Sequence, residues 1–151
     1  MSTIYLTVSW EEFHEDAKAL AEILRERGTW RGIVAISRGG LVPATIIARA
    51  LNIRIVETVS VVAYDQQNLG QEEQLGVPKV TKLPDFAGDG DGFLIIDDLV
   101  DSGSTARVVR AMLPKAPMAV VYAKPKGRDL ADHVLKEVSQ ETWIILPWER
   151  N

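Results

Sequence analysis

The stretch Phe93-Leu94-Ile95-Ile96-Asp97-Asp98-Leu99-Val100-Asp101-Ser102-Gly103-Ser104-Thr105 decides how the rest of the chain is read. Four apolar residues, Phe93 to Ile96, predict a buried strand. Two carboxylates, Asp97 and Asp98, stand at its C-terminal end, where parallel α/β sheets place their ligands. A short loop of small residues follows, and Thr105 to Leu113 predicts a helix. Small residues let backbone N–H groups approach an anion, and a new helix adds unpaired donors and the positive end of its dipole. A phosphate group is therefore expected in the loop. The carboxylates would repel it, so they need sugar hydroxyls or a cation such as Mg²⁺, which commonly takes one or two carboxylates together with substrate phosphate. A helix cap with a solvated turn would explain one Asp. It explains less well three acids, Asp97, Asp98 and Asp101, between a buried strand and a Ser/Gly loop.

Working outward, Ser9 and Glu12 form a capping-box pattern. Trp10, Phe13, Ala17, Leu20 and Leu24 then recur at helical spacing, and Gly28 suits the stop. Gly32 to Ser37 reads as a buried strand, Arg38-Gly39-Gly40 as a turn, and Leu41 to Leu51 as a helix with Pro43 in its first turn. Ile53 to Val62, rich in Val, Ile and Thr, predicts a second strand. Residues 64–92 show no clear period and read as a long functional loop or small flap. Met118 to Ala123 predicts a fourth strand and Trp143 to Leu146 a last short one. Apolar strands alternating with helices indicate an α/β domain with a mainly parallel sheet. Neither an internal repeat nor an interdomain linker is evident.

Composition sets bounds. The 151 residues suit one domain, and 46% hydrophobic residues suffice for a core. The absence of cysteine excludes disulfides, thiolate metal sites and cysteine nucleophiles. A net charge of −4 argues against broad nucleic-acid binding. The N-terminus lacks a secretory pattern and no apolar run is long enough to cross a membrane, so a soluble cytoplasmic protein is expected. Four Trp leave room for a patch that docks peripherally on a membrane.

The segment from Phe93 to Thr105 resembles the signature of the type I phosphoribosyltransferases, an apolar strand followed by two acids and a D-[ST]-G-x-T loop. The neighbourhood is most similar to the bacterial xanthine–guanine branch of that family. Matching pieces are Ala35 to Pro43, Ala63-Tyr64-Asp65, Gly88 to Thr105, Leu113 to Ala116, Ala123 to Gly127 and Glu141 to Trp148. The resemblance implies a single phosphoribosyltransferase domain over residues 1–151, with a flexible loop at about 65–92 and a hood built from the terminal segments. It implies transfer of phosphoribose from 5-phosphoribosyl 1-diphosphate to a 6-oxopurine with Mg²⁺ as cofactor. It also implies a homo-oligomer, dimer or tetramer.

Residue by residue, the resemblance assigns the sugar diphosphate to Arg38, Gly39, Asp97, Asp98, Leu99, Val100, Asp101, Ser102, Gly103, Ser104 and Thr105. Asp97 and Asp98 hold the ribose hydroxyls, Asp98 lies nearest the metal, and Ser102 to Thr105 wrap the 5′-phosphate. Arg38-Gly39 binds diphosphate through a peptide that the family often holds in the cis form. Asp101 faces the purine N7 as general base. Lys124 donates to O6, Trp143 stacks on the purine, and the Ile144 backbone meets the group at C2. Read alone, Lys124 is a snorkelling surface lysine and Trp143 beside Ile144 is core. The family's loop Arg after the Tyr-Asp pair is missing, since no Arg lies between Arg54 and Arg107, and Lys79 or Lys82 are the cations at hand. Glu149 stands where the family tends to have Asp.

Other readings fare worse. A phosphorylation-receiver domain shares paired acids and a Lys-Pro, but only 25 residues separate Asp98 from Lys124. A calcium loop over Ala87 to Asp98 lacks its first ligand and runs into a strand. Gly88, Gly90 and Gly92 precede a strand, which reads as a tight polar turn and not a dinucleotide fingerprint. His14 and His133 read as isolated surface residues. A non-catalytic regulator of the same fold, binding a nucleotide or the sugar diphosphate, is the closest rival. An enzyme acting on a pyrimidine is the next, and Lys124 and Trp143 speak for purine.

Overall fold

A computed structural model describes residues 4–62 and 78–149. The pair Tyr64-Asp65 and the loop after it to residue 77 lie outside the described residues. In chain order the elements are β1 (Ile4–Thr7), α1 (Trp10–Arg27), β2 (Gly32–Ser37), α2 (Leu41–Leu51), β3 (Ile55–Val62), β4 (Lys79–Lys82), β5 (Phe93–Val100), α3 (Ser104–Met112), β6 (Met118–Ala123), β7 (His133–Glu137) and β8 (Thr142–Ile145). Single 3₁₀ turns occupy Asp85–Ala87, Arg128–Leu130 and Pro147–Glu149.

The main sheet has the order β4-β3-β2-β5-β6-β7, parallel throughout except for β4. Alternation along the strands divides the core. Leu94 and Ile96 join Ile33, Ala35 and the apolar faces of α1 and α2. Phe93 and Ile95 turn the other way, against Val109 of α3. The sheet is thus covered on both faces, which is why its strands read as continuous apolar runs. β1 and β8 form a separate parallel pair with Tyr5 opposite Trp143. Among the described residues no helix is long and apolar enough to cross a membrane.

The expected capping box is present. Glu12 N–H donates to Ser9 Oγ at 3.1 Å, and Ser9 N–H donates to Glu12 Oε1 at 3.2 Å. β3 begins two residues later than its sequence suggests, because Asn52 and Ile53 are spent on ending α2. Asn52 adopts φ 55°, and Ile53 N–H donates to the Ala48 carbonyl at 2.8 Å. The polar 64–92 stretch also contains an antiparallel strand that its composition hides, β4. The Gly88–Gly92 segment is the expected turn, with Asp89 paired to Lys115 at 3.2 Å. His133 departs from expectation. It lies in β7, half-buried, and burial lowers its pKa.

One buried network ties the layers together. Tyr122 of β6 donates to Asp16 of α1 at 2.7 Å, and Lys136 of β7 pairs with the same carboxylate at 3.0 Å. Burial and the Asp16 carboxylate both raise the Tyr122 pKa, so the phenol stays protonated and donates. Tyr122→Phe is expected to cost about 1.5–3 kcal/mol, the usual worth of a hydrogen bond to a charged group. Urea unfolding with an unchanged slope would measure it, and a loss under about 0.5 kcal/mol would show that Lys136 alone satisfies Asp16.

Candidate active site

β2 and β5 are neighbours in the sheet, but the chain leaves them toward opposite edges. Ligands of open α/β sheets sit outside the strand ends at such a point. Here a cleft of about 900 Å³ opens there, lined by Ser37, Arg38, Gly39, Asp97, Asp98 and Thr105, with Ser60 and Thr81 on one side and Trp148 and Glu149 on another. A smaller hollow of about 150 Å³ adjoins it over the loop from Asp101 to Thr105. Leu99 and Val100 line it as well, and both spaces share Asp97 and Thr105.

The two acids were expected just past the end of a strand. They lie within it, because β5 runs to Val100. Pairing with β2 stops at Ala35↔Ile96, while pairing with β6 continues to Val100↔Ala123. β2 has turned away, so Asp97 and Asp98 keep one flank open to the cleft. That turn is compact. Gly40 N–H donates to the Ile36 carbonyl at 2.8 Å, and Leu41 N–H to the Arg38 carbonyl at 3.0 Å. A cis peptide is present, but it joins Ser37 to Arg38, one bond before the Arg38-Gly39 position where it was expected.

Gly39 packs directly on Asp98. A Cβ there would stand 2.5 Å from Asp98 Oδ2 and 2.6 Å from Cγ. Gly103, at φ 91°, precedes α3 and leaves no room for a side chain against Leu130. No side chain caps the start of α3, so the backbone donors of its first turn face the loop. Ser102 Oγ lies 3.4 Å from both the Ser104 amide and its hydroxyl.

Burial pushes the Asp97 carboxyl well above the ordinary range, and the neighbouring Asp98 charge adds to it. Asp98 is raised too, first by burial and then by the negative charge of Glu149, against hydrogen bonds that lower it. Asp98 N–H also donates to Asp97 Oδ1 at 2.8 Å. The folded protein therefore holds protons here more tightly than the unfolded chain does. The resulting penalty is absent below the ordinary carboxylate range and grows as pH rises through the folded value. In metal-free protein Asp97→Asn is expected to raise stability at neutral pH by about 1 kcal/mol and to flatten this part of the pH dependence. Urea titrations from pH 4 to 8 test it, and equal stabilities at neutral pH would remove the penalty.

Lys124 is not a surface lysine. It is 5% exposed, and its Nζ lies 3.3 Å from Asp101 Oδ2. A buried ammonium needs a partner, and its only carboxylate among the described residues belongs to the loop beside the smaller hollow. Gln140, which sequence reasoning passed over, donates from Nε2 to Asp101 Oδ1 at 2.6 Å. Trp143 and Ile144 line neither hollow. Trp143 is 61% exposed on β8, and the Ile144 side chain is buried in the core. Val8 N–H bonds the Ile145 carbonyl, so that residue's backbone faces β1. Backbone polar groups alternate along a strand, so those of Ile144 face the opposite, open edge.

Lys82 is committed elsewhere. Its Nζ bonds Glu57 Oε1 and the Thr58 carbonyl, both at 2.8 Å. Lys79 pairs across from Val62 at the end of β3.

Residues 9–150 match the family described as phosphoribosyl transferase domain. The chain is 53% identical over 146 residues to a xanthine-guanine phosphoribosyltransferase of Gluconobacter oxydans, covering 96% of this chain and 84% of that protein. It is 55% identical over 142 residues to one of Nitratidesulfovibrio vulgaris, covering 94% and 83%. A purine phosphoribosyltransferase structure from Pyrococcus horikoshii superposes with a TM-score of 0.78 at 26% identity, covering 97% of this chain and 95% of that one. A Helicobacter pylori xanthine-guanine-hypoxanthine phosphoribosyltransferase shares the fold at a TM-score of 0.75 and 22% identity, covering 96% and 94%. A strand carrying paired acids, a Ser/Gly loop opening a helix and a buried lysine beside it thus have a common origin: the chain belongs to the phosphoribosyl transferase family.

Proposed function

We propose that this protein is a purine-salvage enzyme that moves the 5-phosphoribosyl group from 5-phosphoribosyl 1-diphosphate onto xanthine or guanine, releasing diphosphate. The observation that carries the base assignment is the buried Lys124 ammonium beside Asp101. A fixed cation and a carboxylate side by side match the acceptor O6 and the N7–H donor on one edge of a 6-oxopurine. Adenine presents a donor in place of O6 and leaves the ammonium unpaired.

Asp97 and Asp98 are assigned to the ribose hydroxyls, Ser102 to Thr105 and the first turn of α3 to the 5′-phosphate, and Arg38 with the Gly39 backbone to the diphosphate. The exposed Trp143 ring is the stacking platform, and the open backbone edge at Ile144 meets the group at C2. Asp101 accepts the N7 proton as the N9 electron pair forms the new bond to the anomeric carbon. The old bond to oxygen breaks, and its electron pair leaves with diphosphate. The Asp97–Asp98 carboxylates offset positive charge developing on the sugar ring.

The acid pair suits Mg²⁺. Its donors are hard oxygens, and burial raises the pKa of both carboxyls. Among the described residues no three ligating side chains form a closed cage. One or two carboxylates with substrate phosphate are what Mg²⁺ takes, and Asp98 is the residue assigned to it. When bound, the ion neutralises the departing diphosphate. The reading also includes a cytoplasmic homo-oligomer, dimer or tetramer. Exposed Ile4, Tyr5 and Trp10 form an apolar surface for a second copy, or for peripheral membrane contact. Incubation with Mg²⁺, the sugar diphosphate and each of xanthine, guanine, hypoxanthine, adenine and uracil tests the activity. Nucleotide from the 6-oxopurines alone is expected, and no product from any base would overturn the reading.

A further inference from the structure

We infer that Gln140 is a positioning residue for the proton-accepting carboxylate, holding Asp101 through the step in which Lys124 turns to the purine. The inference rests on the role of Asp101 proposed above. Gln140 lies in the turn between β7 and β8. The turn is tied down on both sides. Val138 N–H donates to the Ala123 carbonyl at 2.9 Å, Thr142 N–H to the Ser139 carbonyl at 3.1 Å, and the Ser139 and Thr142 hydroxyls meet at 2.7 Å.

The orientation of the amide is determined by its two partners. Lys126 N–H donates to Gln140 Oε1 at 3.0 Å, and a backbone N–H can only donate. That end must be the oxygen, so the NH₂ end is the one placed 2.6 Å from Asp101 Oδ1. Asp101 is thus gripped by two donors, Gln140 on Oδ1 and Lys124 on Oδ2 at 3.3 Å. The shorter bond is to the neutral amide, which has no other acceptor among the described residues. When the Lys124 ammonium shares itself with O6, its hold on the carboxylate weakens, and Gln140 becomes the main restraint. Asp101 side-chain exposure is 54%, so without that restraint the carboxylate is free to swing into water. A base must sit within hydrogen-bond reach of the proton it takes, and misplacement by about 1 Å can cost roughly 100-fold. The same turn leads in three residues to Trp143, so the base and the stacking ring are placed from one short segment.

The test is a double-mutant cycle between Gln140→Ala and Asp101→Asn, read by single-turnover nucleotide formation with enzyme in excess. Gln140→Ala is expected to lower the rate about 10- to 100-fold with the sugar-diphosphate KM unchanged. In the Asp101→Asn background the same change is expected to have little further effect, because no proton acceptor is left to position. Gln140→Glu keeps the acceptor for Lys126 N–H but sets a second carboxylate against Asp101. It is expected to be at least as slow as Gln140→Ala while retaining the wild-type thermal midpoint. Equal losses from Gln140→Ala with and without Asp101, or wild-type rates in Gln140→Glu, would overturn the inference. If Asp101→Asn itself ran at the wild-type rate, the assignment of Asp101 would fail instead, so the two failures are separable.

Discussion

Asp101→Asn is expected to reduce turnover by about 100- to 10,000-fold while the KM for 5-phosphoribosyl 1-diphosphate stays within about twofold. Asparagine keeps the shape and one acceptor oxygen, enough for Gln140 on one side, while its NH₂ faces Lys124 on the other, so the loop should persist although the pairing with Lys124 is lost. What it loses is the ability to take a proton at neutral pH. The separation of effects follows from position. Asp101 lines the smaller hollow and pairs with Lys124, and it does not line the larger cleft that holds Arg38 and Gly39. Steady-state kinetics with guanine or xanthine varied at saturating sugar diphosphate gives kcat, and the converse gives the second KM. Turnover near the wild-type value would place the proton acceptor elsewhere.

Gly39→Ala carries the second large effect, and it acts through binding. Gly39 needs no positive φ, so backbone freedom is not the reason for glycine here. Space is. A methyl group would stand 2.5 to 2.6 Å from all three carboxyl atoms of Asp98, far inside van der Waals contact. Asp98 lies on a strand, so it can give way only by rotating its carboxylate out of the cleft. The residue assigned to Mg²⁺ is then misdirected. Metal affinity and kcat/KM for the sugar diphosphate are expected to fall roughly 10- to 100-fold, the range seen when the support of a metal ligand is disturbed. Raising Mg²⁺ should recover part of the loss. Titration calorimetry with the sugar diphosphate at two Mg²⁺ concentrations would show it, and wild-type affinity would mean that Asp98 is not the metal's residue. The fold should survive, as the strain falls on a carboxylate that is already costly to bury.

The sheet was legible because burial on both faces leaves an unmistakable trace. The apolar runs at Gly32, Phe93 and Met118 each mark a central strand. Edge elements carry no such trace. β4 is Lys-Val-Thr-Lys, and β7 mixes His, Lys and Glu, since only one side of each is covered. The reach of β5 through Asp97 and Asp98 was hidden for a related reason. Charged residues suggest a strand's end, but here the ladder to β6 continues beneath them. At the site, the acids and the loop could be read from local pattern. Lys124 could be placed only by likeness to a family, because burial of a lysine depends on what packs around it. Gln140 left no local mark at all. It meets Asp101 from 39 residues away, through a turn whose position depends on β7 lying beside β6.

The pairing of β1 with β8 bears on how the molecule comes to exist. Ile4 lies opposite Thr142, so this small sheet joins segments separated by all of the elements of the main sheet. The main sheet can assemble from neighbouring strand–helix units while the chain is still emerging. The pair that carries Trp143 cannot, and Tyr5 waits for its partner strand until the segment around Trp143 has left the ribosome. Contacts of such wide separation form late and slow folding. A nascent chain would therefore complete the loop from Asp101 to Thr105 well before the strand that carries Trp143, and on the roles proposed above the capacity to hold a sugar phosphate would precede the capacity to choose a base.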